Sequence, residues 1–253
     1  MIVVDVGNTD TVIGIYKKSK LKCVYRFKSK SKKLLSKIKS KINKEIINKL
    51  QIEHEVCVIA SVVPEINKKI IYIFKRLRFK VLNINYSNIP FNIKLNIDSP
   101  KQLGADRIAN IIAANFKYGK NCLILDFGTA TTFDVMKNNS YEGGIIAPGI
   151  LISHDSLVKR ASKLKKIKLY KTKKIIGKNT VEAMQSGFFW GYVFFINGII
   201  KKTIAEKKYK PKLILTGGLS VLFRDQIMKK NFYEPYLTLD GLYLIGLKKY
   251  GKS

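Results

Sequence analysis

Histidine, cysteine and arginine are scarce in this chain, and each scarcity closes off a class of chemistry. There are two histidines, His54 and His154. No serine or cysteine lies in a nucleophile motif beside either one, so a Ser-His-Asp hydrolase or a His-ligated metal enzyme is poorly supported. Both histidines are expected to be structural or solvated. Cys23, Cys57 and Cys122 are odd in number, far apart and without a CxxC pattern. They suggest neither a disulfide framework nor a zinc site, and they fit a reducing, cytoplasmic setting. Long apolar runs are missing too. The longest, Gly187 to Ile196, is soon followed by Asn197, well short of the roughly twenty residues that span a bilayer. The opening MIVVDVGN places Asp5 after four residues and lacks a basic n-region, so no signal peptide is expected there.

Acidic residues are also few: 17 Asp and Glu face 48 Lys and Arg, for a formal charge of +31. Such an excess alone suggests a polyanionic partner. Only six of the basic residues are arginine, whereas bidentate phosphate and base-edge recognition favour the planar guanidinium. The lysines are dispersed and accompanied by abundant Ile and Asn. A solvated lysine surface is expected, and a nucleic-acid partner is not. Between Lys28 and Leu50, the residues Leu34, Leu35, Ile38, Ile42, Ile46 and Leu50 recur at helical spacing with lysines between them, which predicts an amphipathic surface helix.

With 253 residues, of which 46% are hydrophobic and 26% charged, the chain can bury a core and has a globular profile. Its first motif is Ile2-Val3-Val4 running into Asp5-Val6-Gly7-Asn8-Thr9 and resuming at Val12-Ile13-Gly14-Ile15-Tyr16. This reads as strand, polar turn, strand, with a carboxylate at the mouth of the hairpin. The same grammar returns at Leu123-Ile124-Leu125, then Asp126-Phe127-Gly128-Thr129-Ala130-Thr131-Thr132, then Phe133-Asp134-Val135-Met136. Overlaid, Asp5 meets Asp126, Gly7 meets Gly128 and Thr11 meets Thr132. The chain reads as two related α/β halves.

Glycine in a tight turn lets backbone N–H groups approach an anion, and Asn or Thr adds side-chain donors. The carboxylate cannot bind phosphate directly, but it can hold the cation that neutralises phosphates. A third glycine element, Leu213 to Ser220, is a buried-type strand entering the Gly217-Gly218 pair and then a helix. It suits either an adenosine lying against the backbone or a tight joint. Between the halves, Leu103-Gly104-Ala105-Asp106-Arg107 opens a helix whose buried face carries Ile108, Ile111 and Ile112. Asp106 there suits a helix cap, while Arg107 offers a forked cation for a substrate carboxylate.

Taken together these segments resemble the type III pantothenate kinases, within the superfamily of acetate and sugar kinases, heat-shock chaperones and actin. The resemblance is carried by DVGNTDTVIG from Asp5, SVVP from Ser61, LGADRIAN from Leu103, DFGTATTFD from Asp126 and GGIIAPG from Gly143. It continues through NTVEAMQSGFFWGY from Asn179, LTGG from Leu215 and LTLDGL from Leu237. It implies duplicated actin-like, ribonuclease H-like halves with mixed sheets flanked by helices and a cleft between them, divided at 1–117 and 118–253.

The implied reaction is ATP plus pantothenate to ADP and 4′-phosphopantothenate, the first committed step of coenzyme A synthesis. By position, Asp5, Val6, Gly7, Asn8, Thr9, Asp10, Thr11 and Val12 would line the ATP phosphates, with Thr129 also on the nucleotide. Asp126 would hold the monovalent cation, K⁺ or NH₄⁺, and Asp5 would serve Mg²⁺, directly or through water. Asp106 would accept the proton of the pantothenate hydroxyl. Gly104, Ala105, Asp106 and Arg107 would line the pantothenate site, and Thr180 would reach it across a homodimer interface. The family commonly has Tyr nine positions before that Asp, where this chain has Ile97.

Two other readings belong beside this one. A kinase for another small hydroxyl-bearing metabolite, such as a sugar, shares the fold class, but the Cys-rich motif of one large sugar-kinase group has no counterpart here. A non-catalytic ATP-binding regulator would be favoured by loss of Asp5, Asp106 or Asp126, and all three are present.

Overall fold

The computed structural model describes residues 1–42, 56–227 and 230–251. Ile46, Leu50 and His54 lie outside them. The chain divides into two units, Met1–Lys117 with Tyr236–Ser253, and Tyr118–Pro235. The expected second half at 118–253 is therefore too long at its C-terminal end, because the segment from Tyr236 belongs to the first unit.

In the first unit, β-branched residues build β1 (Ile2–Val6), which pairs antiparallel with β2 (Asp10–Lys17). β3 (Lys20–Lys28) pairs with β2, and β4 (Val56–Ser61) and β5 (Lys80–Asn83) run parallel to β1, giving the order β3-β2-β1-β4-β5. Lys28 lies in this sheet, and α1 (Leu34–Lys41) starts only at Leu34. The expected helix thus began too early: Lys20, Lys22, Arg26 and Lys28 are exposed with half-buried residues between them, close to the two-residue period of an edge strand.

α1 and α2 (Pro64–Arg76) cover one face of the sheet with Leu34, Ile38, Ile70 and Phe74. Pro64 at the first helical turn of α2 lacks an N–H that the turn could not satisfy within the helix anyway. α3 (Ala105–Tyr118) buries Ile108, Ala109, Ile111, Ile112, Ala113 and Ala114. The last helix of the unit (Leu237–Tyr250) lies against the sheet. A Cβ added to Gly14 of β2 would meet Leu239 at 3.1 Å, and one added to Gly246 would meet Met1 and Val58.

The second unit repeats this order and these strand directions. β6 (Cys122–Phe127), β7 (Ala130–Lys137) and β8 (Ser140–Pro148) form an antiparallel meander. β9 (Lys212–Thr216) and β10 (Asn231–Tyr233) then run parallel to β6 on its other side. α4 (Ile150–Arg160) follows the meander.

α5 (Thr180–Lys207) is capped by Asn179, whose Oδ1 accepts from Glu182 N–H at 2.9 Å, while the Glu182 carboxylate accepts from Lys178 N–H, one residue before the cap, at 2.9 Å. Phe189, Val193, Ile196 and Ile200 of α5 pack into a core with Leu123, Leu125 and Phe133. Truncating a buried aromatic such as Phe189 to alanine would cost about 3–5 kcal/mol. The glycines of α5 do the reverse of what close packing within the chain requires. A Cβ at Gly187, Gly191 or Gly198 would meet nothing within 4 Å. α6 (Ser220–Phe223) is a single turn, and the C-terminal helix is α7 (Leu237–Tyr250). Among the described residues no helix is long and apolar enough to cross a membrane.

Candidate active site

Each unit presents one hairpin, and the two differ by one residue. In the first, Asp5 faces Val12 and Val6 faces Thr11. In the second, Asp126 faces Thr132 and Phe127 faces Thr131. The second turn is shorter, so the structural counterpart of Thr11 is Thr131 and not Thr132. Burial agrees, with Thr11 at 0% and Thr131 at 1% exposure.

Both turn glycines use their N–H inside the hairpin. Gly7 N–H donates to Asp10 O at 3.0 Å, and Gly128 N–H donates to Ala130 O at 3.1 Å. The backbone donors of Gly7 and Gly128 are therefore not what meets an anion, contrary to the simple glycine argument. What the first turn holds outward is the exposed pair Asn8 and Thr9.

The first turn is braced by a residue that sequence reasoning missed. Ser29, directly after β3 and 4% exposed, donates from Oγ to Gly7 O at 2.6 Å and lies 2.9 Å from Thr11 Oγ1. Its N–H donates to Thr9 O at 2.9 Å. Asp10, in the same turn, is flanked by Lys28 at 2.9 Å and Arg26 at 3.3 Å. Both partners are largely exposed, so these pairs add little stability, but they offset the charge of a carboxylate that would repel a phosphate here.

Within the first unit the end of β1 and the start of α3 meet around Val62. Its N–H donates to Val6 O at 3.1 Å, and its side chain would lie 3.9 Å from a Cβ on Gly104. Ser61 sets this corner by bonding Val63 through both N–H and O contacts. The Gly104 carbonyl accepts the first helical bond of α3, from Ile108 N–H at 3.0 Å. Asp106 is half-buried in that first turn, and its Oδ1 accepts from Arg107 N–H at 2.8 Å. A Cβ on Gly104 would stand 2.5 Å from the same Oδ1. Only glycine leaves the carboxylate where it is.

In the second unit the hairpin is walled by two more glycines. Gly217, with φ +86, closes against β6 so tightly that a Cβ would stand 2.5 Å from Asp126 Oδ1 and from Phe127 N. Ser220 fixes that joint, donating from Oγ to Gly217 O at 2.6 Å. Gly149 seats on the turn itself, where a Cβ would come within 2.8 Å of the Thr129 carbonyl carbon and 2.9 Å of Gly128 O. The Tyr192 hydroxyl donates to Pro148 O just before it, and burial pushes that phenol's pKa up, keeping it a donor. Thr180 is exposed at the head of α5. It shares a shallow groove with Leu157, Leu164, Ala183, Met184 and Phe188 rather than with hairpin residues. His154 is buried, with Nε2 accepting from Ile167 N–H at 3.2 Å.

A family model described as type III pantothenate kinase matches residues 1–202. A curated type III pantothenate kinase of Halalkalibacterium halodurans is 37% identical over 248 residues, covering 97% of this chain and 98% of that protein. The chain belongs to the type III pantothenate kinase family. It is an ATP-dependent kinase that phosphorylates pantothenate, a reaction of coenzyme A biosynthesis.

Solved structures agree on the fold. One is a ROK family glucokinase from Streptomyces griseus in complex with glucose and AMPPNP, with a TM-score of 0.55 and 12% identity over 95% of this chain and 97% of that one. Another is component A of the (R)-2-hydroxyglutaryl-CoA dehydratase of Acidaminococcus fermentans, with a TM-score of 0.58 and 10% identity over 99% and 98%. The fold is the duplicated actin-like α/β fold of the sugar kinases.

The residues present are compatible with hard cations that would offset phosphate charge. Among the described residues no three His, Cys, Asp or Glu side chains gather into a metal cluster. A divalent ion would therefore draw most of its ligands from phosphate and water, as Mg²⁺ does at nucleotide sites. Asp126 stands in a cradle that the Cβ of any residue but glycine at 217 would fill, and a carboxylate oxygen is a ligand type suited to a hard cation.

Proposed function

We propose that Asp106 is the group that accepts the proton of the pantothenate hydroxyl as the γ-phosphoryl group is transferred. The observation that carries this is the 2.5 Å approach of a Gly104 Cβ to Asp106 Oδ1: the chain keeps glycine where any side chain would displace that carboxylate. In a loose phosphoryl-transfer transition state the nucleophile need not lose its proton early, so orienting the hydroxyl is most of the task. Gly104 and Ala105 wall the pantothenate pocket, and Arg107 serves the pantothenate carboxylate.

The first hairpin, Asp5 to Val12, receives the ATP phosphates, with Asn8 and Thr9 as donors and Asp5 serving Mg²⁺ directly or through water. Thr129 contacts the nucleotide, and Asp126 holds K⁺ or NH₄⁺. When bound, these cations offset phosphate charge. The protein acts in the cytoplasm as a homodimer. The exposed glycine face of α5, with Val181 and Phe194 exposed along the same helix, supports a seam with a second copy, across which Thr180 reaches the partner's pantothenate pocket.

The test is steady-state kinetics of Asp106→Asn and Asp5→Asn. Asp106→Asn should lower kcat by about 10²- to 10⁴-fold, toward the lower end, with little change in KM for ATP. Asp5→Asn should weaken Mg-ATP use as well as turnover. Near-normal turnover of Asp106→Asn would make Asp106 a helix cap and nothing more.

A further inference from the structure

The C-terminal motif Leu237-Thr238-Leu239-Asp240-Gly241-Leu242 has no role in the site so far, yet α7 grips α3 at three points. Near its start, the Thr238 hydroxyl donates to Asn110 Oδ1 at 2.8 Å, and Asn110 is 1% exposed. One residue away on α3, the helices touch backbone to backbone. A Cβ on Gly241 would stand 2.5 Å from the Ala109 carbonyl carbon and closer still to its oxygen. At the far end, Asp240 takes Lys117 Nζ at 2.6 Å on one oxygen and the Tyr16 hydroxyl on the other. Tyr16 is in β2, the strand that leaves the first hairpin.

Ala109 and Asn110 are three and four residues after Asp106, so they share its side of the helix, one turn on. A helix held at one buried hydrogen bond and at a glycine contact can neither slide nor rotate without breaking them. We infer that Thr238, Gly241 and Asp240 are positioning residues for catalysis, fixing α3 against β2 so that Asp106 is presented at a set depth. This rests on the assignment of Asp106 to the pantothenate hydroxyl. The residues touch no substrate, and their effect comes through the placement of α3.

Another residue of α7 supplies a matched control. The Tyr243 hydroxyl donates to Ser19 Oγ at 3.1 Å, on the turn between β2 and β3, away from α3. Removing it should loosen α7 without moving Asp106. Gly241→Ala would force the helices apart and risks misfolding, so the hydroxyl of Thr238 is the better probe.

The experiment compares Thr238→Ala, Thr238→Ser, Tyr243→Phe and Asp106→Asn in the full chain, with kcat and both KM values measured at a temperature where circular dichroism shows each variant folded. Thr238→Ala should lower kcat about 10-fold, since sub-ångström to 1 Å misplacement of a reacting group is enough for such losses, with KM for ATP within about twofold of the parent. Thr238→Ser should restore turnover, and Tyr243→Phe should keep it even where its melting temperature falls as far. A parental kcat in Thr238→Ala beside a collapsed Asp106→Asn overturns the inference alone. Near-normal turnover in Asp106→Asn overturns the Asp106 assignment and the inference with it. Equal kcat losses in Thr238→Ala and Tyr243→Phe at equal melting temperature would mean that α7 merely holds the fold.

Discussion

Replacing Gly104 by alanine should separate catalysis from stability. The added Cβ would stand 2.5 Å from Asp106 Oδ1, with its next neighbours at 3.6 Å or beyond. The one group that must move is therefore the carboxylate, and it can move by rotating. That rotation breaks the 2.8 Å bond from Arg107 N–H, which for a half-buried, charge-assisted contact contributes about 1 kcal/mol. Alanine in place of glycine at the N-cap costs up to about 1 kcal/mol more. Reduced freedom of the unfolded chain gives back about 0.4–1 kcal/mol. The net destabilisation is about 1 kcal/mol, a fall in Tm of about 2–4 °C for a chain of this size.

A carboxylate turned away from the substrate hydroxyl, by contrast, should lower kcat by about 10²-fold. Coupled ADP-release kinetics beside a thermal melt provide both numbers, and KM for ATP should be unchanged. A Gly104→Ala enzyme with kcat within about twofold of the parent would refute the reasoning, because it would show that turnover does not depend on where that carboxylate stands.

Three further outcomes follow from the same geometry. Gly217→Ala places a Cβ against Asp126 and Phe127 at a φ of +86, so it should raise the K⁺ concentration needed for half-maximal activity and destabilise the fold by about 1–3 kcal/mol; an unchanged K⁺ titration would remove Asp126 from the cation site. Ile97→Tyr, restoring the residue common in the family, should lower KM for pantothenate while leaving KM for ATP alone, as paired titrations will show. Burial pushes the Cys122 thiol up to about 12 and the Cys57 thiol well above its usual range, so at pH 8 a disulfide reagent should titrate only Cys23 in the native protein and all three thiols in denaturant.

How far the sequence could be read depended on whether a feature is local. The two hairpins were visible because β-branched runs end in Asp-x-Gly, and Asp5, Asp126, Gly104 and Asp106 were singled out as candidates from their neighbours in the chain. The hairpin register was not, since the extra residue in the first turn shows only when Asp5 is seen opposite Val12 and Asp126 opposite Thr132. Ser29 escaped because its partners, Gly7 and Thr11, are brought to it by strand pairing. A serine after an alternating strand carries no signal of its own.

The membership of α7 was hidden for the same reason. Gly14 meets Leu239, and Gly241 meets Ala109, only in three dimensions, and nothing in LTLDGL says which sheet it covers. The early start assigned to the first helix came from weighing the apolar spacing after Leu34 over the two-residue alternation from Lys20 to Lys28.

The central claim, that this chain transfers phosphate from ATP to pantothenate through Asp106, is tested most directly by quantifying both products in one reaction. Purified protein with ATP, Mg²⁺, K⁺ and pantothenate should form ADP and 4′-phosphopantothenate in equal amounts, with ADP formation falling to background when pantothenate is left out and by about 10²-fold or more in Asp106→Asn. ADP release indifferent to pantothenate, or equal product from Asp106→Asn, would contradict it.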